Sequence, residues 1–155
     1  MGNFTILDNL EDLELGDQQL VQAAVKASAQ AYAPYSQFHV GAALLLDNGV
    51  VVTGANHENA AYPSCMCAER VAIYAAAAQY PGIAIRKLAV IALRGGAAPL
   101  VSASSCGSCR QVMLEFEHRQ NTPMEVVFQA PDTRWVKTST AASLLPFAFS
   151  KDNLE

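Results

Sequence analysis

The sequence predicts an α/β protein, with one mixed β-sheet covered by helices on both faces. Three observations carry this. Five short runs rich in apolar residues alternate with stretches of helical spacing. The tripeptide Asp47-Asn48-Gly49 separates two of those runs with a hairpin turn. The element order is helix, hairpin, helix, strand, helix, hairpin and short helix, and such interleaving suits a sheet between two helical layers.

Each element has its own signal. Asp17 is suited to a helix N-cap, and Leu20, Val21, Ala24 and Val25 follow at helical spacing. Ser28 and Tyr32 continue that face to about Ala33, where Pro34 ends the helix. Residues 40–46 and 50–53 are apolar runs flanking Asp47-Asn48-Gly49, whose Asn and Gly tolerate the positive φ of a tight turn. Residues 54–66 have no period and read as a loop. The Ala-rich stretch 68–79 reads as a helix stopped by Pro81-Gly82. Residues 88–93 read as a buried strand, and the small residues of 95–105 as a loop. A third helix covers 110–119, with Val112, Met113 and Phe116 on one face. Residues 124–128 and 135–138 read as an antiparallel pair joined by a Pro-Asp link. Leu144, Leu145, Phe147 and Phe149 form a C-terminal apolar segment.

The 155 residues suit a single domain spanning 1–155. With 52% apolar and only 15% charged residues, the chain can bury a large core and hide further surface between subunits. A net charge of −4 and no Lys/Arg cluster argue against a polymeric nucleic-acid partner. No apolar run reaches the length of a membrane span, and the N-terminus lacks a signal-peptide pattern. The expected setting is cytoplasmic, where four cysteines read as metal ligands rather than disulfides.

The chemistry is concentrated in Cys67-Ala68-Glu69 and Cys106-Gly107-Ser108-Cys109. Three thiolates can hold one Zn²⁺ and leave its fourth position open, as a catalytic site requires. Glu69, two residues after the first ligand, can move protons to and from a water there. This is the pattern of zinc-dependent deamination of a nucleobase. Cys67 precedes one predicted helix, and Cys106 and Cys109 open another, where the positive helix end favours thiolate. Arg70 and Arg110 follow ligand positions and are placed to donate to the sulfurs, offsetting the negative charge of a three-thiolate centre.

Blander readings stand beside these. Glu69 taken alone is an ordinary helix-surface glutamate. The C-x-x-C pair taken alone fits a redox dithiol, although that leaves Cys67 and Glu69 without a use. Cys65 or His57 as a fourth ligand would close the metal site and make it structural. Cys65 reads instead as a buried or partly buried free thiol, and His57 as a loop or packed residue.

With these residues in place, the chain from about Leu20 to Leu154 resembles the small, homotetrameric, zinc-dependent cytidine deaminases. The likeness lies in Tyr35-Ser36-Gln37-Phe38-His39-Val40-Gly41-Ala42-Ala43, Asn56-His57-Glu58-Asn59-Ala60, Cys67-Ala68-Glu69-Arg70, Cys106-Gly107-Ser108-Cys109-Arg110-Gln111 and Leu144-Leu145-Pro146-Phe147-Ala148-Phe149. It implies a three-layer α-β-α fold with a five-stranded mixed sheet, one Zn²⁺ per subunit, and a homotetramer with active sites at subunit interfaces. It implies hydrolysis of cytidine or deoxycytidine to the uridine product and ammonia in pyrimidine salvage, with Glu69 shuttling the protons. Asn56 and Glu58 would bind ribose hydroxyls, and Phe38 would pack on the nucleoside. The Ala68 amide would meet the ring carbonyl, the Ser104 carbonyl the amino group, and Phe149 would be lent by a neighbouring subunit.

Two positions depart from the family pattern. Ser105 stands where proline is usual, and serine could cap the helix that follows. His57 stands where an aliphatic residue is common. The alternatives are a related deaminase acting on a modified or antibiotic nucleoside or a free base, and a non-catalytic zinc-binding module.

Overall fold

The computed structural model describes residues 3–154. Its strands are β1 (Phe4–Leu7), β2 (Phe38–Leu46), β3 (Val51–Ala55), β4 (Ile85–Arg94), β5 (Ala97–Val101), β6 (Glu125–Gln129) and β7 (Trp135–Thr138). The helices are α1 (Leu15–Ser28), α2 (Ala68–Gln79) and α3 (Gly107–Gln120). All strands join one sheet in the order β1-β7-β6-β4-β2-β3, with β5 beside the end of β4. The β4–β6 pair is parallel and every other pair antiparallel, so the sheet is mixed as expected.

Side-chain alternation along the central strands builds the three layers. Leu44, Leu88 and Val90 face α2 and α3, with Ile73 and Met113 packed on them. Ala43, Ala89 and Ile91 face α1, which contributes Leu20, Val21 and Ala24. Gly49, at φ 83°, makes the β2–β3 turn read from Asp47-Asn48-Gly49.

Two glycines set how closely the helices approach. A Cβ on Gly41 would lie 1.9 Å from the Ala24 carbonyl oxygen of α1. One on Gly54 would lie 2.6 Å from both the Ala68 carbonyl oxygen and the Ala72 nitrogen of α2. Both distances are shorter than any tolerable contact, and both partners are backbone, so neither position has room for a methyl group.

The sheet has seven strands, not five. β1 lies in the first residues, for which the sequence offered no element. β5 falls inside the small-residue stretch 95–105 read as a loop, where hairpin pairing to β4 overrides the weak strand propensity of Ala97 and Ala98. The first helix ends at Ser28 rather than Ala33, and Glu14, not Asp17, is its N-cap. Asp17 is instead fully buried, where its carboxylate meets Lys87 of β4 and, at 2.9 Å, Lys137 of β7. Its neighbour Glu125 of β6 pairs with Lys87 at 3.0 Å and with Lys137 at 3.4 Å. Burial works against the Lys137 ammonium, but Asp17 and Glu125 hold its pKa above the ordinary lysine value.

Candidate active site

The three predicted ligands meet at two helix starts. Cys67 is the N-cap of α2 and Cys106 the N-cap of α3, both with extended backbone, while Cys109 lies within the first turn of α3 and is fully buried. Val90 of β4 lines the cleft beside Cys67 and Cys106. The three sulfurs lie within 4.8 Å of one another, and Cys67 and Cys106 are 3.9 Å apart. Zn–S bonds of about 2.3 Å at tetrahedral angles put sulfurs roughly 3.8 Å apart, so the donor set fits zinc by distance as well as by chemistry.

Electrostatics agree with that reading. The Cys67 thiol is drawn below the ordinary cysteine range by its contact with Cys109, and further by Arg70, whose Nη2 donates to Cys67 Sγ at 3.6 Å. The Cys109 thiol is pushed up in turn, because a second anion beside Cys67 is unfavourable in a buried place. A divalent cation would remove that conflict.

Glu69, in the first turn of α2, is 4% exposed and lines the cleft beside Cys67 and Cys106. Burial raises its carboxyl pKa, and the Cys67 thiolate adds to the rise. A carboxyl held above its usual range is suited to giving and taking protons near neutral pH.

The cleft has a volume of about 260 Å³. Of the predicted site residues, Phe38, Asn56, Glu58, Ala68 and Ser104 line it together with Cys67, Glu69 and Cys106. Ala68 is the first residue of α2, so its amide has no partner within the helix. Asn56 and Glu58 are each held by the protein itself. Asn56 Oδ1 accepts from the Val40 amide at 2.8 Å, and its Nδ2 donates to the Phe38 carbonyl at 2.8 Å. The Glu58 carboxylate accepts from the Tyr35 amide at 2.9 Å and from the Ser36 amide and hydroxyl. The Ser36 hydroxyl is the main reason its pKa lies below the usual carboxylate value.

Other expected contacts differ. Arg110 does not bond a sulfur: its Nε donates to the Ser105 carbonyl at 2.8 Å and its Nη1 to the Leu144 carbonyl at 3.0 Å. Ser105 does not cap α3, because Cys106 takes the N-cap position, and the Ser105 hydroxyl is buried near the Glu69 carboxylate without a hydrogen bond of ordinary length. Phe149, expected at a neighbouring subunit's site, does not line the cleft of its own subunit and is exposed, with its carbonyl accepting from Gln111 Nε2 at 2.8 Å.

Neither proposed fourth ligand joins the cluster. Cys65 is a half-buried free thiol whose sulfur accepts from the Asn59 amide at 3.3 Å, and His57 Nδ1 lies 3.1 Å from the Ala55 carbonyl oxygen. Both line the cleft, as do Val40, Met66 and Ala103, which carry no functional signal in the sequence. Val40 and Val90 belong to the alternating face that builds the core, so their place at a cleft wall is a tertiary fact.

Residues 15–124 match the family described as the cytidine and deoxycytidylate deaminase zinc-binding region. The chain belongs to this deaminase family. Among its curated relatives, a cytidine deaminase of Sporosarcina psychrophila is 41% identical over 138 residues, covering 88% of this chain and 93% of the relative. A cytidine deaminase of Mycobacterium tuberculosis is 40% identical over 131 residues, covering 84% and 87%. The crystal structure of a cytidine deaminase from Burkholderia pseudomallei superposes with a TM-score of 0.69 at 40% identity, covering 88% of this chain and all of that one. The deaminase family thus accounts for both the layered fold and the three-cysteine centre beside Glu69.

Proposed function

We propose that this zinc-dependent deaminase hydrolyses cytidine or deoxycytidine to uridine or deoxyuridine and ammonia. The observation that carries the proposal is a buried carboxylate, Glu69, beside three convergent cysteine sulfurs at a cleft of about 260 Å³.

Cys67, Cys106 and Cys109 would hold the zinc, which supplies Lewis-acid activation of water near neutral pH. Glu69 takes a proton from the attacking water and delivers it to ring N3. The hydroxide that remains bonds to C4, Glu69 takes its remaining proton and hands it to the amino group, and the C4–N bond breaks as the C4 carbonyl forms and ammonia leaves. The Ala68 amide donates to the ring carbonyl, and the Ser104 carbonyl accepts from the amino group. Phe38 packs on the nucleoside. Asn56 keeps one N–H and one lone pair beyond its bonds to β2, which suits a sugar hydroxyl, and Glu58 has spare acceptor capacity.

The working form is a homotetramer with the sites at subunit interfaces. In support, Phe147 is fully exposed and Phe149 and Tyr62 are largely so, apolar side chains that a second copy would cover. The enzyme serves pyrimidine salvage in the cytoplasm. In accord with that setting, the cysteines are free and no helix among the described residues is long and apolar enough to cross a membrane.

The test follows ammonia release from a panel of nucleosides, nucleotides and free bases. Turnover of cytidine and deoxycytidine by the zinc-loaded protein, lost in Glu69→Gln with zinc retained, is expected. Turnover confined to a modified nucleoside or a free base would replace the substrate assignment. Phe149→Asp should lower the mass measured by light scattering.

A further inference from the structure

We infer that Arg110 is a positioning residue that braces the Ser104–Ser105 wall of the cleft against the C-terminal turn; the inference rests on the deaminase reading above. Residues 102–106 link β5 to α3 without regular secondary structure. The Ala103 amide anchors one end of this link on the Gln129 carbonyl at 3.1 Å. At the other end, the Ser105 carbonyl is held by Arg110 Nε, while the Ser105 hydroxyl lies near the Glu69 carboxylate without a hydrogen bond of ordinary length. Serine leaves φ free, so the grip on that carbonyl is the restraint nearest Ser104, which faces the cleft.

The other arm of the guanidinium reaches the Leu144 carbonyl. That carbonyl ends the short helical turn Ala141–Leu144, and the turn is itself fixed to α3. The buried Glu117 carboxylate accepts from the Ala141 amide at 2.8 Å, the Ala142 amide at 3.3 Å, the Met124 amide at 2.8 Å and the Thr140 hydroxyl. Glu117 lies seven residues after Arg110, so both project from one face of α3. The restraint therefore runs from Glu117 through the turn to Leu144, then through Arg110 to Ser105 and the substrate wall. A planar guanidinium can bridge two carbonyls with separate N–H groups, which a lysine ammonium cannot do in the same geometry.

The test compares Arg110→Ala and Arg110→Lys with wild type by amide hydrogen exchange, zinc content and steady-state kinetics. Exchange across residues 102–107 should accelerate about tenfold in both variants. KM for cytidine should rise by about tenfold with kcat changed much less, because the wall binds rather than reacts. Zinc should stay at the wild-type content per chain. If Arg110→Ala does not fold, Arg110→Lys, which keeps the charge and the stem, decides. Wild-type exchange and KM in that folded variant would overturn the inference, and so would zinc loss in step with activity, which would return Arg110 to the sulfurs. Exchange needs no turnover, so wild-type protein inactive on cytidine would overturn the deaminase reading while Arg110 was still decided.

Discussion

Cys67 and Cys106, 39 positions apart in the chain, stand as N-caps of neighbouring helices with their sulfurs 3.9 Å from each other. Two helix ends thus bring sulfurs to one point, and the positive end of each helix lowers the cost of holding negative charge there.

Metal analysis should find one zinc per chain, and zinc absorption spectroscopy three sulfurs at roughly 2.3 Å with one lighter donor. Cys106→Ser should lose the metal without unfolding the sheet, since Cys106 is exposed and outside the core. A four-sulfur shell would reverse the account of Cys65.

Removing the guanidinium of Arg70 should loosen the metal. Arg70→Met is expected to weaken zinc binding by about 10–100-fold, read by competition with a chelator, because the Cys67 thiolate loses its donor.

Glu69 should cost stability in the metal-free protein. Folding raises its pKa by burial, so the folded state disfavours the carboxylate and stability falls as pH climbs from the unfolded value through the folded one. Glu69→Gln should therefore melt at a higher temperature than wild type at pH 7.5 in chelator. The gap should close at about pH 3, below the unfolded value, where both states are protonated. Equal melting at both pH values would count against the burial account.

Asp17 should matter to stability and not to substrate. Asp17→Ala leaves Lys87 and Lys137 with only the more exposed Glu125 shared between them, so the loss should fall below the roughly 3–5 kcal/mol of an uncompensated buried charge. Denaturant unfolding should show the loss. KM should not move, since α1 packs on the sheet face opposite α2 and α3.

The parts of this molecule legible in sequence were those written in local chemistry. The helix 68–79 was bounded by Cys67 and by Pro81-Gly82, the β2–β3 hairpin was signalled by Asn48-Gly49, and the metal cluster was written in cysteine spacing. What escaped was set by partners distant in the chain. Asp17 looks like a cap until Lys87 and Lys137, 70 and 120 positions away, are seen to reach it. Arg110 sits beside a ligand in sequence yet bonds the carbonyl of Leu144. β5 is a strand because β4 offers an edge, which its own small residues do not reveal.

Gly54 has no side chain, binds no metal and lies on a strand, yet α2 can seat Cys67 and Glu69 at their present depth only because nothing projects there. In a saturation mutagenesis experiment scored by growth, this position should tolerate substitution as poorly as Glu69 itself. Even alanine would wedge the helix off the sheet and open the cleft from behind. A map of sensitive positions would then report an empty space as faithfully as it reports a reactive group.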